Sequence, residues 1–165
     1  MQRRSFLASF SALPIVGLAQ PLSARSLAGG GPLLVFNAYL AAWNVHDSTV
    51  AAVHFDEDVV YYDASVGTPI KGRSAAKAGV VDNFLNAAPD AVWAVNGPTM
   101  VQQNKLSMEW TFSGTNTGNW ADGTKATGKP FKFSGATFFF IADGKIKSQS
   151  DYYDALGFYK QLGLI

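Results

Sequence analysis

Residues 131–153 read FKFSGATFFFIADGKIKSQSDYY, two strands and the turn between them. Phe131 to Ala142 is dense in aromatic residues, Asp143-Gly144 is a strong two-residue hairpin signal, and Lys145 to Tyr153 should return antiparallel. Side chains alternate across a strand, so Phe133, Thr137 and Phe139 share one face of the outgoing strand, and Gln149, Asp151 and Tyr153 share one face of the returning strand. One of these faces must look inward. A carboxylate turned into an aromatic interior loses hydration, its pKa rises, and it becomes able to shuttle a proton near neutral pH. The competing reading is that Asp151 merely ends its strand at the surface.

Working outward, Lys105 to Ser113 alternates through Leu106, Met108, Trp110 and Phe112, and Ala91 to Asn96 precedes it as another strand candidate. Upstream, Leu33, Phe36, Leu40 and Trp43 have helical spacing behind Pro32. Asp47 has the place of an N-cap for a short second helix over Ser48 to Phe55, with Val50, Val53 and His54 on one stripe. Val59 to Ala64 reads as a strand whose aromatic pair Tyr61-Tyr62 is followed by Asp63, a second candidate carboxylate. Ser74 to Asn86 repeats Ala76, Val80, Val81, Phe84 and Leu85 as a third helix. A terminal helix over Asp154 to Leu162 ends at Gly163. Helices first and hairpin-joined strands afterwards argue for an α+β fold with a curved antiparallel sheet in a single domain. Gly114 to Pro130 is the one long glycine-rich loop, expected to be mobile.

Of the 165 residues, 48% are hydrophobic and 13% aromatic, ample for a core with a lined cavity. A formal charge of +1 gives no field for nucleic acid, and the absence of Cys removes thiolate nucleophiles and zinc–thiolate sites. Residues 1–28 read as an export signal: Arg3-Arg4 followed by Phe6-Leu7 resembles the twin-arginine consensus, and the apolar run to Ala19 is too short to span a bilayer. Cleavage is expected after Ala24 or Ala28, leaving a mature domain over 29–165 in the periplasm or outside the cell, with no membrane attachment. That domain is mildly acidic, since ten basic residues then face twelve acidic ones.

Two further patterns carry less. Gly67 to Ser74 approaches a phosphate-cradling loop, but Pro69 removes a backbone N–H and Arg73 stands where the motif wants Lys, so it reads as a decoy. His46 and His54, the only imidazoles, lack a neighbouring ligand pattern, and no metal site is expected. His46 reads as a brace at the start of the second helix. His54 reads either as a satisfied core histidine or as a ligand of the cavity.

Trp43-Asn44-Val45-His46-Asp47, Tyr62-Asp63, Lys71-Gly72-Arg73, Thr127-Gly128-Lys129-Pro130, Asp143-Gly144-Lys145-Ile146 and Gln161-Leu162-Gly163 occur in an order and at spacings similar to the SnoaL-like polyketide cyclases of the nuclear transport factor 2-like superfamily. The resemblance covers residues 32–164. It implies a cone-shaped barrel: three helices on a strongly curved antiparallel sheet, a short C-terminal helix, and a pocket in the mouth of the cone. It also implies that Asp151 serves as general acid/base for an aldol closure without metal or organic cofactor, with Asp63 at the position of a polar partner. Thr137, Phe139 and Gln149 match pocket-lining positions, two of which hold His in the cyclases and are Phe139 and Gln149 here, so the pocket should be greasier. The expected site is therefore Asp151 and Asp63 as catalytic residues, with Trp43, His54, Tyr62, Trp110, Phe133, Thr137, Phe139 and Gln149 around a small apolar or aromatic carbonyl compound. The expected chemistry is aldol cyclisation, isomerisation or hydration in a homodimer. The alternative is a non-catalytic ligand-binding or dimeric scaffold module. An inward, desolvated Asp151 touching Asp63 or Gln149 favours the enzyme, and a solvated one favours the binder.

Overall fold

The computed structural model describes residues 31–165; the expected export signal lies outside them. Helix α1 (Pro32–Asn44) begins with Pro32 in its first turn, where a missing N–H costs nothing, and buries Val35, Phe36, Tyr39, Ala42 and Trp43. Of the expected stripe, Phe36 and Trp43 are buried and Leu40 is half-buried, whereas Leu33 is exposed and Val35, Tyr39 and Ala42 join the buried face. In α2 (Ser48–Ala52), Asp47 accepts from the backbone N–H of Val50 at 2.9 Å, as a cap should. The helix is shorter than its pattern suggested. Ala51 and Ala52 are its buried residues, whereas Val50 and Val53 are exposed.

Strand β1 (Phe55–Asp63) therefore starts four residues earlier than expected. After the short β2 (Ile70–Lys71), the third helical stretch comprises α3 (Arg73–Ala76), a π-helical segment (Lys77–Asp82) and α4 (Asn83–Ala87). Across the π segment Lys77 Nζ donates to both carboxylate oxygens of Asp82 at 2.9 Å, a pair five apart in sequence that an α-helix would not bring together. Strands β3 (Val92–Gln102), β4 (Lys105–Thr115), β5 (Pro130–Ala142) and β6 (Lys145–Tyr153) follow, and α5 (Ala155–Leu162) closes the chain between the Asp154 cap and Gly163 at φ 71°.

The six strands form one sheet in the order β2-β1-β6-β5-β4-β3. The expected α+β class holds, with two differences. β1 runs parallel to β6, so the sheet is mixed rather than antiparallel throughout. It also does not close into a barrel, because β2 and β3 end it on either side. Register shifts in the β1·β6, β3·β4 and β5·β6 ladders bend the strands into an open cone around the helices. The inner face carries the alternate residues Phe131, Phe133, Thr137, Phe139 and Ile141 of β5 and Leu106, Met108, Trp110 and Phe112 of β4.

The long loop expected to be mobile is tied down by hydrogen bonds at its base. Asn116 is fully buried: its Nδ2 donates to the carbonyls of Ala87 and Gly118, and its Oδ1 accepts from the backbone and hydroxyl of Thr127. The Trp120 ring then packs edge-on against Phe84 and Phe158 at centroid distances of 5.4 and 5.8 Å.

Candidate active site

Parallel pairing of β1 with β6 sets Asp63 directly beside Asp151 and Tyr61 beside Gln149, and antiparallel pairing of β5 with β6 sets Thr137 opposite Asp151. These polar residues share the inner face of the cone. Asp151 accepts from Thr137 Oγ1 at 2.6 Å, from the Tyr61 hydroxyl, and from Gln149 Nε2 at 3.1 and 3.2 Å. Trp110 Nε1 donates to Thr137 Oγ1 at 2.7 Å, which orients that hydroxyl toward the carboxylate. The approach depends on Gly135, where an added Cβ would lie 2.5 Å from the Trp110 ring.

Burial dominates the electrostatics of Asp151. Removal from water pushes its carboxyl up to about 6, against the hydrogen bonds from Thr137, Tyr61 and Gln149, which pull it down. Burial also holds the phenols of Tyr61, Tyr39 and Tyr153 above their usual range, so all three remain protonated donors at neutral pH. Asp63 has its own set: the backbone N–H and hydroxyl of Ser65 at 2.7 and 2.6 Å, and the Tyr153 hydroxyl at 3.1 Å.

Asp151 and Asp63 line one cavity of about 40 Å³, together with Trp43, Trp93, Trp110 and Phe133. Of the expected site, Trp43, Trp110, Phe133 and both carboxylates are brought together there. Thr137 and Gln149 are buried behind Asp151 and hold it rather than line the cavity. Phe139 lies deeper still, packed on Phe36 and Tyr39 in the core. Two expectations fail on position. Tyr62 alternates to the outer face and packs on Tyr152, with centroids 5.8 Å apart. His54 immediately precedes β1, at the end of the strand opposite Asp63, where its half-buried ring lies against Tyr39 and burial holds it below the usual imidazole range.

Several residues of the site were not among those expected there: Tyr61, Trp93, and from the helical wall Val80 and Phe84, while Tyr153 lines it from the face of β6 that the alternation had given it. Tyr61 was within reach, since it is two residues from Asp63 on the same face of one strand. Among the described residues no group of three or more His, Asp or Glu side chains is placed to hold a metal ion. Three buried polar atoms near the carboxylate have no hydrogen-bond partner in the protein: Tyr39 Oη, Trp43 Nε1 and Gln149 Oε1. Tyr39 feels Trp43, Gln149 and Asp151 together, so these atoms face a common region.

The site can be set beside known proteins. A protein from Jannaschia sp. CCS1 described as a SnoaL-like polyketide cyclase superposes with a TM-score of 0.72 at 14% identity over 86% of this chain and 97% of that one. TerC, co-crystallised with polyporic acid, gives 0.64 at 14% identity over 80% and 98%. A protein from Catenulispora acidiphila DSM 44928 with a ketosteroid isomerase-like fold, solved with trimethylamine, gives 0.65 at 20% identity over 78% and 92%. Identities this low establish the shared fold alone. No curated protein matches the chain. The SnoaL-like polyketide cyclase family profile matches residues 33–162, nearly the whole described domain. With that match and the cone fold of its structural relatives, the chain belongs to the SnoaL-like polyketide cyclase family.

Proposed function

We propose that the protein carries out cofactor-independent acid/base chemistry on a small apolar or aromatic carbonyl compound, with Asp151 as the proton carrier. The observation that carries this reading is the inward, desolvated position of Asp151 on the cavity wall, in contact with Gln149 and with its carboxyl raised to about 6. Near neutral pH such a group is ionised yet close enough to its pKa to be reprotonated readily. Its carboxylate takes a proton from the carbon next to the substrate carbonyl, and the bonding electrons move onto the carbonyl oxygen as an enolate. Trp43 lines the same cavity, and its indole N–H is a donor suited to that developing charge. In an aldol closure the enolate carbon then bonds to a second carbonyl carbon, and Asp151 returns its proton to the resulting alkoxide. In an isomerisation the proton returns to another carbon. Asp63, held by Ser65 and Tyr153, orients polar substrate groups at the mouth.

The test is exchange of α-protons for deuterium in a carbonyl probe, followed by NMR. Asp151→Asn should lower the rate by roughly two to four orders of magnitude while affinity is retained. For the wild type the rate should climb through an acid limb near pH 6, because the ionised form is the base. Unchanged exchange in the variant would replace this reading with that of a binding module.

The remaining proposals concern the cell. Export by the twin-arginine route is checked with a reporter fused after Ala28: Arg3-Arg4→Lys-Lys should abolish its export, and export that persists removes the proposal. A homodimer is supported by the aromatic outer face of the sheet, where Phe138, Phe140 and Tyr152 are exposed.

A further inference from the structure

Proteins rarely bury a carboxylate without a cationic partner, because a buried charge is costly unless it is paired. This domain buries two. Asp63 and Asp151 are 6% and 8% exposed, and neither takes part in an ion pair among the described residues. The carboxylates that do, Asp56, Glu57, Asp82 and Asp143, reach Arg73, Lys77 or Lys147 nearer the surface. Asp63 and Asp151 are also direct partners in the parallel β1·β6 register, on strands about 4.8 Å apart, and the charge of Asp63 bears on Asp151. No Lys, Arg or His lines the cavity they share. Asp63 lines a second cavity as well, of about 270 Å³ beside α5, and its walls contain no basic side chain either.

The rest of the shared wall suits a cation. Trp43, Trp93 and Trp110 follow one another edge to face, with interplanar angles of 73° and 89°, and Trp110 meets Phe133 at 73° and Tyr153 at 56°. Rings turned through such angles present π faces as well as edges to a group between them, and a π face carries negative potential. Trp43 adds the opposite polarity. Its Nε1 is buried without a partner in the protein, in a residue only 4% exposed, and requires an acceptor. The cavity therefore matches a ligand with a positive group and a carbonyl oxygen a few bonds apart.

We propose that Asp63 and the rings around it form an ammonium subsite, and that Asp151 acts on an amino ketone whose protonated amine lies against Asp63 while its carbonyl oxygen accepts from the Trp43 N–H. This deepens the acid/base reading of Asp151 and rests on it for the carbonyl group; the ammonium subsite rests on the cavity alone. The consequence is chemical. In an α-amino ketone the carbon between the two groups is acidified by both. Asp151 takes the proton from that carbon, and the bonding pair moves onto the carbonyl oxygen at the Trp43 N–H. The bound cation also offsets the repulsion between the neighbouring carboxylates and favours the ionised, basic form of Asp151.

The probes are benzylammonium and benzyl alcohol, alike in shape, of which only the first is charged near neutral pH. Each is titrated into the full chain labelled with 5-fluorotryptophan, whose four ¹⁹F resonances are assigned by single Trp→Phe changes, and affinities are taken from calorimetry. Benzylammonium should bind roughly tenfold or more tightly than the alcohol and shift at least one of the Trp43, Trp93 and Trp110 resonances. Asp63→Asn, which keeps the side-chain shape, should erase the preference. Asp63→Ser takes its place if that variant does not fold, and the wild-type comparison needs no variant. Absence of benzylammonium binding, equal or tighter binding of the alcohol, binding that leaves all three resonances unmoved, or a preference that survives in a folded Asp63 variant would overturn the proposal. These outcomes are independent of proton exchange. If the preference holds and Asp151→Asn still exchanges protons, the ammonium subsite stands and the acid/base reading alone fails. If exchange depends on Asp151 and no preference is found, the subsite alone fails.

Discussion

Asp151 is a carboxylate kept out of water by the fold and stabilised by hydroxyl and amide donors, and its energetics follow from that conflict. The folded protein holds it near 6, whereas in an unfolded chain an Asp titrates near 3.9. Between these values the native state binds the proton that the unfolded chain has released, so stability falls as pH rises from about 4 to about 6, by about 3 kcal/mol. His54, held below its usual range, contributes with the opposite sign as pH rises toward 6.5, and Asp56, Asp82, Asp90 and Asp122, held low, lose stabilisation only in more acidic solution. The quantity to measure is therefore the difference between wild type and Asp151→Asn in urea unfolding at several pH values. The wild type should lose stability relative to the variant across pH 4 to 6, and parallel curves would show that Asp151 is not desolvated. At this scale part was legible in the sequence: strand parity put Gln149 and Asp151 on one face of β6 and Phe133, Thr137 and Phe139 on one face of β5, but the register shift between Phe140 and Ile141 that brings Thr137 opposite Asp151 left no mark in the sequence. Parity also separated Tyr61 from Tyr62 and put Tyr61 on the face of Asp63, and the register with Gln149 adds that Tyr61 meets the Asp151 carboxylate. His54 misled because a histidine on an apparent helical stripe carries no mark of the strand that begins one residue later.

At the scale of elements, the loop joining β4 to β5 behaves as part of the core because one buried side chain satisfies backbone groups on three segments. Asn116→Ala removes the partners of Ala87 and Gly118 and of Thr127, and should cost about 3 kcal/mol. It should also admit protease between Thr117 and Thr127, read by limited proteolysis. Resistance equal to that of the wild type would mean that Trp120, packed on Phe84 and Phe158, suffices to hold the loop. Glycine-rich composition pointed toward mobility here, and nothing local indicated that Asn116 would reach across to the end of α4. The third helix was legible as a helix from its apolar period. Its π segment was not, because i→i+5 bonding shifts the stripe by a fraction of a turn and leaves composition untouched.

For the whole molecule, alternation left an outer face on which Phe138 stacks edge-on with Tyr152 at 6.0 Å and Tyr62 joins them, an apolar surface of the kind that two-fold pairing covers. Phe138→Lys should convert a dimer to monomer at micromolar concentration in sedimentation velocity, with the fold unchanged because that ring is 56% exposed. A wild type that sediments as a monomer at all concentrations removes the dimer. The α+β class was readable from element order, yet the parallel ladder between the first long strand and the last was not, since pairing across such separations leaves no periodic trace. That ladder has a temporal consequence. Tyr61 and Asp151 are 90 residues apart, and β1 finds its long partner only when the last strand is available. A chain emerging from the ribosome can build its helices and the meander from β3 to β5, but β1 must wait with its edge unsatisfied. The candidate site is thus complete only once β6 has paired with β1, and a chain cut short before β6 lacks not one candidate residue but the seam that joins both carboxylates.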